Sequence, residues 1–234
     1  MVPRIDRVGY EIEAGWLRGN PSNELLGWSI VHDGTIRAQN DAEKKYSFYE
    51  ARSPAYKKLK GALAGITNAP PFIGNSSTGF HVHLSFIPRI PALLWSREFV
   101  LDVERAIAAE FPEAWSMRAR NRFCRSYGRA IGLEAQITRR HGKLFEKYRS
   151  VNILRLQKFW DSQQTVEFRI FPTTTKREMR RYVRFVYEWT RAYLRNKQVC
   201  RIARAQVDCG RRVEKVVEGV HMKTENVQVT TDTP

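Results

Sequence analysis

The sequence predicts an α+β fold, a mainly antiparallel sheet with helices packed on one of its faces. Three observations predict it. Stretches with apolar residues at every second position recur between turn signals. Stretches with apolar residues three and four apart are scattered among them. The two kinds do not follow the regular strand–helix–strand rhythm of a parallel sheet.

Taken in order, Val8 to Ala14 alternates, with Val8, Tyr10, Ile12 and Ala14 on one side and Gly9, Glu11, Glu13 and Gly15 on the other. A turn cluster at Asn20 to Asn23 leads to a second expected strand, Leu25 to Val31, closed by the Asp33-Gly34 turn signal. A third strand is expected over Tyr46 to Arg52, ending at Ser53-Pro54 because proline cannot donate to a ladder. Tyr56, Leu59, Leu63 and Ile66 recur at helical spacing, and Asn68 to Gly79 reads as a loop rich in Pro, Gly, Ser and Asn. Phe80 to Ile87 alternates again, with Phe80, Val82, Leu84 and Phe86 against His81, His83 and Ser85. A helix follows near Arg97 to Phe111, then a poorly periodic stretch from Met117 to Phe145. Thr165 to Phe171 places Val166, Phe168 and Ile170 opposite Thr165, Glu167, Arg169 and Phe171. Lys176 to about Ala205 gives the clearest amphipathic helix, apolar on one stripe and arginine-rich on the other. We expect one domain over residues 1–209 and a polar, frayed tail over 210–234.

Composition narrows the function. At 234 residues and 42% hydrophobic content the chain can build a core. The net charge is +16, and it is concentrated: Arg118 to Arg212 holds 25 basic and 7 acidic residues, leaving 15 and 17 elsewhere. Nucleic acid, a membrane surface or a polyanionic substrate are therefore the first partners to weigh. Three widely spaced cysteines without C-x-x-C suggest neither a disulfide framework nor structural zinc. With no apolar leader at the N-terminus and no apolar run of about 20 residues, the expectation is a soluble, cytoplasmic protein without a membrane partner.

The chemistry gathers on one side of the strands. Glu11/Glu13, Glu50/Arg52, His81/His83 and Glu167/Arg169 each lie two residues apart, so each pair shares a strand face. Glu11/Glu13 alone reads more readily as a solvated face and Glu167/Arg169 as a cross-strand charge pair, whereas His81/His83 is less easily dismissed, because two histidines on one strand face are uncommon and suit a metal. Four pairs at strand period point instead to one acidic floor flanked by arginines. Carboxylates with one or two imidazoles are mostly oxygen ligands, which suits Mg²⁺ or Mn²⁺ better than Zn²⁺. Mg²⁺ usually shares its shell with water and substrate phosphates, so the floor points to ATP and phosphoryl transfer. The chain lacks G-x-x-x-x-G-K-[ST], which argues against a P-loop fold.

The ordered segments Gly9-Tyr10-Glu11-Ile12-Glu13, Asp33-Gly34-Thr35, Glu50-Ala51-Arg52-Ser53-Pro54, Thr78-Gly79-Phe80-His81-Val82-His83 and Val166-Glu167-Phe168-Arg169 resemble the motifs of the amidoligase family. These are carboxylate–amine ligases sharing a catalytic fold with glutamine synthetase and glutamate–cysteine ligase. Lys147 to Asn152 resembles the segment before the last motif strand. The resemblance runs from about Gly9 to about Val186 and implies a glutamine-synthetase-like catalytic domain. It implies that ATP phosphorylates the carboxylate of an amino acid or peptide, and that an amine attacks the acyl phosphate to give an amide. Carried over by position, it makes Glu11, Glu13 and Glu50 metal ligands and His81 and Glu167 ligands of a second metal. His83 and Ser85 fall on the ATP phosphate side with Arg169, which stabilises the transferring phosphoryl; Glu50 and Glu167 act with it in catalysis, and Arg52 and Asn152 bind substrate. Ala51-Arg52 departs from the aliphatic pair common in the family, so Arg52 is either a ligand for a substrate carboxylate or a salt-bridge partner of a neighbouring glutamate. The length leaves no room for the separate domain that completes the site in glutamine synthetase. The base for the amine is therefore expected from a loop such as Asn68 to Ser77, a neighbouring subunit or the substrate.

Two other functions compete. A basic nucleic-acid-binding protein explains the arginines of the second half but leaves the carboxylate and imidazole faces without a purpose. Arg118, Arg120, Arg122 and Arg125, clustered around Cys124, read either as lining a cleft that holds phosphates or an acidic acceptor or as a solvated basic face. A metal-dependent phosphoesterase or nuclease would use the same floor. His83-Leu84-Ser85 matches half of the H-x-[ST] pair of two-histidine phosphoesterases, whereas His221 is followed by Met222-Lys223.

Overall fold

The computed structural model describes residues 4–17, 20–25, 27–87, 94, 96–119, 121, 124, 126, 149–153 and 165–197. Among the described residues, seven strands form one sheet: β1 (Arg4–Trp16), β2 (Ser29–Val31), β3 (Ser47–Arg52), β4 (Phe72–Ile73), β5 (Phe80–Ile87), β6 (Val151–Asn152) and β7 (Thr165–Phe171). Their order is β2-β3-β1-β5-β7-β6, with β4 paired to the end of β1, and every pairing is antiparallel. The helices are α1 (Leu59–Asn68), α2 (Arg97–Glu110) and α3 (Pro112–Arg118). Residues 176–197 are also helical, and we term the stretch 176–192 α4. The architecture is thus α+β with a mainly antiparallel sheet.

Compactness divides the chain into Met1–Ala192 and Tyr193–Pro234. Of the second unit only residues 193–197 are described. The expected boundary at residue 209 and the tail lie outside the described residues. Among the described residues no helix is long and apolar enough to cross a membrane.

The starts of α2, α3 and α4 follow from local sequence. Ser96 accepts a hydrogen bond from the Phe99 N–H at the start of α2, and Pro112 opens α3 where its missing N–H costs nothing. Thr175 accepts from the Glu178 N–H at the start of α4. Their apolar residues meet the even-numbered side chains of β1, β5 and β7. Tyr10, Ile12, Phe80, Val82, Leu84, Val166 and Phe168 are buried with the helical residues Ile66, Phe99, Ile107, Met179 and Val183. Tyr182 of α4 lies 6.4 Å from Phe80 between ring centroids and stacks on Phe171 at 4.4 Å, with Phe111 edge-on at 4.9 Å. At about 1.5–3 kcal/mol for each large side chain buried, this layer supplies the stability against which a charged face can be held.

Three sequence expectations are corrected. The second strand does not begin at Leu25. Asn20 caps a short 3₁₀ turn over Pro21–Asn23, and Gly27 adopts φ +79°, a left-handed conformation a strand cannot contain, so β2 starts at Ser29. The Asn68 to Gly79 loop contains β4, whose Phe72 meets Trp16 at 5.4 Å. Phe171 does not share the face of Glu167 and Arg169. The register slips between Phe80↔Phe171 and Val82↔Phe168, so β7 carries one extra residue. That bulge turns Phe171 into the apolar layer, where it is fully buried. The helical expectation for residues 198–205, and the stretch after Arg118 apart from isolated residues, lie outside the described residues.

Candidate active site

The opposite face of the same strands carries the ionisable residues, and the register explains how they meet. β1 lies between β3 and β5, so Glu11 faces Arg52 on one side and His81 on the other, while Glu13 faces Glu50. Across β5 and β7, His83 faces Glu167, and across β7 and β6, Glu167 faces Asn152. Glu11, Glu13, Glu50, His81, His83, Glu167, Arg169 and Asn152 are all buried.

His81 sits among three carboxylates. Its Nδ1 is 3.0 Å from Glu11 Oε2 and 3.6 Å from Glu167 Oε1, and its Nε2 is 3.6 Å from Glu13 Oε1. His83 Nε2 lies 3.4 Å from Glu11 Oε1, out of line for a hydrogen bond, and is buried without a hydrogen-bond partner. Arg169 pairs with Glu167 through Nη1, and Asn152 Nδ2 donates to Glu167 Oε2 at 2.9 Å. Arg52 pairs with Glu50 and reaches Glu11 at 3.6 Å.

Burial alone would raise the Glu167 carboxyl, yet the Arg169 guanidinium and then His83 hold it at about 2. Burial likewise opposes ionisation of Glu11, but the imidazoles of His83 and His81 keep it well below the usual carboxylate range. Glu50 goes the other way. Burial and then the charge of Glu11 push it up, and Arg52 only partly offsets them.

Two sets of ligand atoms emerge. Glu11, His83 and Glu167 offer atoms all within 4.8 Å of one another, and so do Glu13, Glu50 and Asp33. For an ion with bonds of about 2.0–2.1 Å in octahedral geometry, ligand atoms stand roughly 3–4.2 Å apart, so small closing movements suffice. The orphaned His83 Nε2 and the directly opposed carboxylates of Glu13 and Glu50 both fit a cation, since like charges face to face are otherwise destabilising. The grouping differs from the one the resemblance implied: His83 joins Glu11 and Glu167, while His81 lies between the sets.

Asp33 stands in the sequence as a turn signal and as part of the Asp33-Gly34-Thr35 motif, and it does hold a turn, because its Oδ1 accepts from the Thr35 N–H and hydroxyl. Only the fold brings it beside Glu13 and Glu50. Arg118 enters from the end of α3. It is buried, donates to the Thr78 carbonyl at 2.7 Å, and has an unpartnered Nε. Gly79 makes this approach possible. A Cβ there would stand 2.6 Å from Arg118 Nη2 and 3.0 Å from both Glu13 Oε2 and His81 Nε2. Arg120, Arg122, Arg125 and His221 lie outside the described residues.

A cavity of about 170 Å³ opens beside the first set, lined by Arg7, Gly9, Glu11, Arg52, His83 and Ser85 among others. Its hollow has a simple origin. Arg7, Gly9 and Glu11 form one row on β1, and the middle member has no side chain. Ser85, opposite Arg7, has a buried hydroxyl without a hydrogen-bond partner.

A protein-family model described as "Putative amidoligase enzyme" matches residues 21–190. The chain belongs to this family. The matched residues include Glu50, His81, His83, Asn152, Glu167 and Arg169, whereas Glu11 and Glu13 precede them on β1 and join them through strand pairing. Searches among curated proteins and among solved structures return no match.

Proposed function

We propose that this amidoligase is an ATP-dependent carboxylate–amine ligase built on a glutamine-synthetase-like catalytic fold, acting on an amino acid or peptide. The observation that supports it most is the pairing of two acidic ligand sets with a buried arginine on one sheet face, in a chain of the amidoligase family. In this reading Glu11, His83 and Glu167 hold one Mg²⁺ or Mn²⁺ and Glu13, Glu50 and Asp33 another, with His81 fixing the carboxylates between them. The cations offset the negative charge of the ATP phosphates.

In the first step a substrate carboxylate oxygen bonds to the γ-phosphorus as the bond to ADP breaks. Arg169, held rigid by Glu167, presents its planar fork to the equatorial oxygens, where charge is greatest in the transition state. His83 and Ser85 offer polar groups to the phosphates from the cavity side. In the second step the amine nitrogen bonds to the acyl carbon and phosphate leaves, with the amine proton passing to a base outside this residue set. Arg52 remains exposed enough, at 47%, to meet a substrate carboxylate at the rim while paired with Glu50.

The test is a screen of amino acids and short peptides with ATP and Mg²⁺ or Mn²⁺, following ADP release and a new amide by mass spectrometry. Amide formation that stops without the divalent ion is the expected result. A wild-type chain that binds no Mg-ATP yet binds DNA or RNA with steep salt dependence, or cleaves phosphodiesters, would overturn the reading.

A further inference from the structure

The helix layer contains a buried carboxylate that the proposed chemistry does not use. Glu104 lies on α2 on the same face as Val100, Val103 and Ile107 and is 3% exposed. A carboxylate in such surroundings is costly unless its oxygens are satisfied. Oε2 accepts from the Ser126 hydroxyl at 2.9 Å, and Oε1 accepts from the Ser150 hydroxyl. The second of these bonds ties Ser150 to α2.

Ser150 stands at the entry to the sheet edge. Its carbonyl accepts from the Arg169 N–H at 2.7 Å, and the chain then forms β6, only two residues long. The second of them, Asn152, lies opposite Glu167 and donates to its Oε2. A strand this short has little ladder of its own to set its position. Its placement against β7 therefore depends on what anchors Ser150.

We propose that Glu104 is a positioning residue for Glu167: by gripping Ser150 it seats β6, and through Asn152 it sets the carboxylate orientation that a divalent cation needs. This rests on the reading of Glu167 as a metal ligand. Groups that orient ligands from outside the coordination sphere change metal affinity by about 10–100-fold when removed.

Two measurements on the full chain test it. In the metal-free protein, Glu104→Leu should speed amide exchange of Arg169 by about tenfold or more, while Tyr10 and Val82 exchange as before. Calorimetry with Mn²⁺ should show affinity about tenfold weaker in the same variant. In an Asn152→Ala background, Glu104→Leu should cause no further loss of Mn²⁺ affinity, because the connection is already cut. Unchanged Arg169 exchange, or losses that add across the two positions, would overturn the proposal. Faster exchange with unchanged Mn²⁺ affinity would reduce Glu104 to scaffold and overturn it as well. A wild type that binds no Mn²⁺ would overturn the metal reading, whereas the exchange measurement tests the grip on Ser150 regardless. If Glu104→Leu does not fold, Glu104→Gln keeps one acceptor oxygen and is held to the same comparisons.

Discussion

Glu50-x-Arg52 on β3 and Glu167-x-Arg169 on β7 carry the same pattern on strands that flank the central pair β1 and β5. In both, the arginine reaches back two residues to pair with the glutamate. Their electrostatics nevertheless oppose each other, with Glu167 held at about 2 and Glu50 pushed up. Two differences explain this. The Arg169 side chain is 8% exposed and its charge acts with little screening, whereas Arg52 is 47% exposed. Glu167 also has His83 beside it, which lowers it further, whereas Glu50 is pushed up by burial and by the charge of Glu11. The same Glu-x-Arg pattern thus yields one carboxylate neutralised by the protein and one whose charge the protein leaves partly uncompensated. The second is the position where a cation from solution has most to offset.

The largest consequence concerns neutralising each glutamate. Glu167→Gln removes the carboxylate that pairs with the buried Arg169, and breaking such a pair costs about 3–5 kcal/mol. Glu50→Gln instead removes a charge that burial disfavours, so stability should stay level or rise. Urea denaturation of both variants without metal checks this, and equal losses would break the comparison. Calorimetry with Mn²⁺ should show each variant losing one site.

The arginines should differ in the same sense. Arg169→Lys keeps the charge but loses the fork, and turnover should fall by roughly a hundredfold with little change in ATP affinity. Arg52→Lys, at a half-exposed pair worth about 0–1 kcal/mol, should change turnover by less than about threefold. Steady-state kinetics decide it. Near-normal turnover in Arg169→Lys would make Arg169 scaffold.

A smaller effect comes from filling the cavity that Arg52 shares with Glu11 and His83. A Cβ at Gly9 would meet no atom closer than 3.9 Å, so Gly9→Val intrudes on the hollow without displacing the backbone. Mg-ATP affinity should fall by about tenfold, the equivalent of about 1.4 kcal/mol, with the melting temperature nearly unchanged. Unaltered Mg-ATP binding would remove this cavity from the nucleotide side of the site.

How far the sequence reveals this arrangement follows from the period of a strand. Glu11, Glu13, His81, His83, Glu167 and Arg169 sit on long strands, and alternation is a local property, so their common face is legible. Phe171 misleads for the same reason, since a bulge breaks the alternation and leaves no mark in composition. Asp33 and Arg118 join the site from a turn and a helix end. No periodicity connects them to β1, and only the tertiary fold does. How the carboxylates divide into two sets is equally hidden, because it depends on which strand lies beside which.

The smallest effect is the dependence of stability on pH without metal, and its sign separates the two glutamates. Stability rises with pH wherever the unfolded chain binds more protons than the native one. Glu167 has a native value of about 2 against an ordinary 4.5. Its contribution is complete above 4.5 and is lost as pH falls from there towards 2. Glu50 is raised, so between 4.5 and its native value the folded chain holds a proton that the unfolded chain has released. Over that window acidification stabilises the protein. The two slopes oppose, and the urea midpoint should rise slightly as pH drops from neutrality before falling below about 4.5. Glu50→Gln should flatten the rise and leave the fall, because the native state no longer takes up that proton. Glu167→Gln should blunt the fall and leave the rise. A midpoint that declines steadily from pH 7, unaltered in shape by Glu50→Gln, would mean that Arg52 compensates Glu50 as fully as Arg169 does Glu167, and the contrast between the two pairs would disappear.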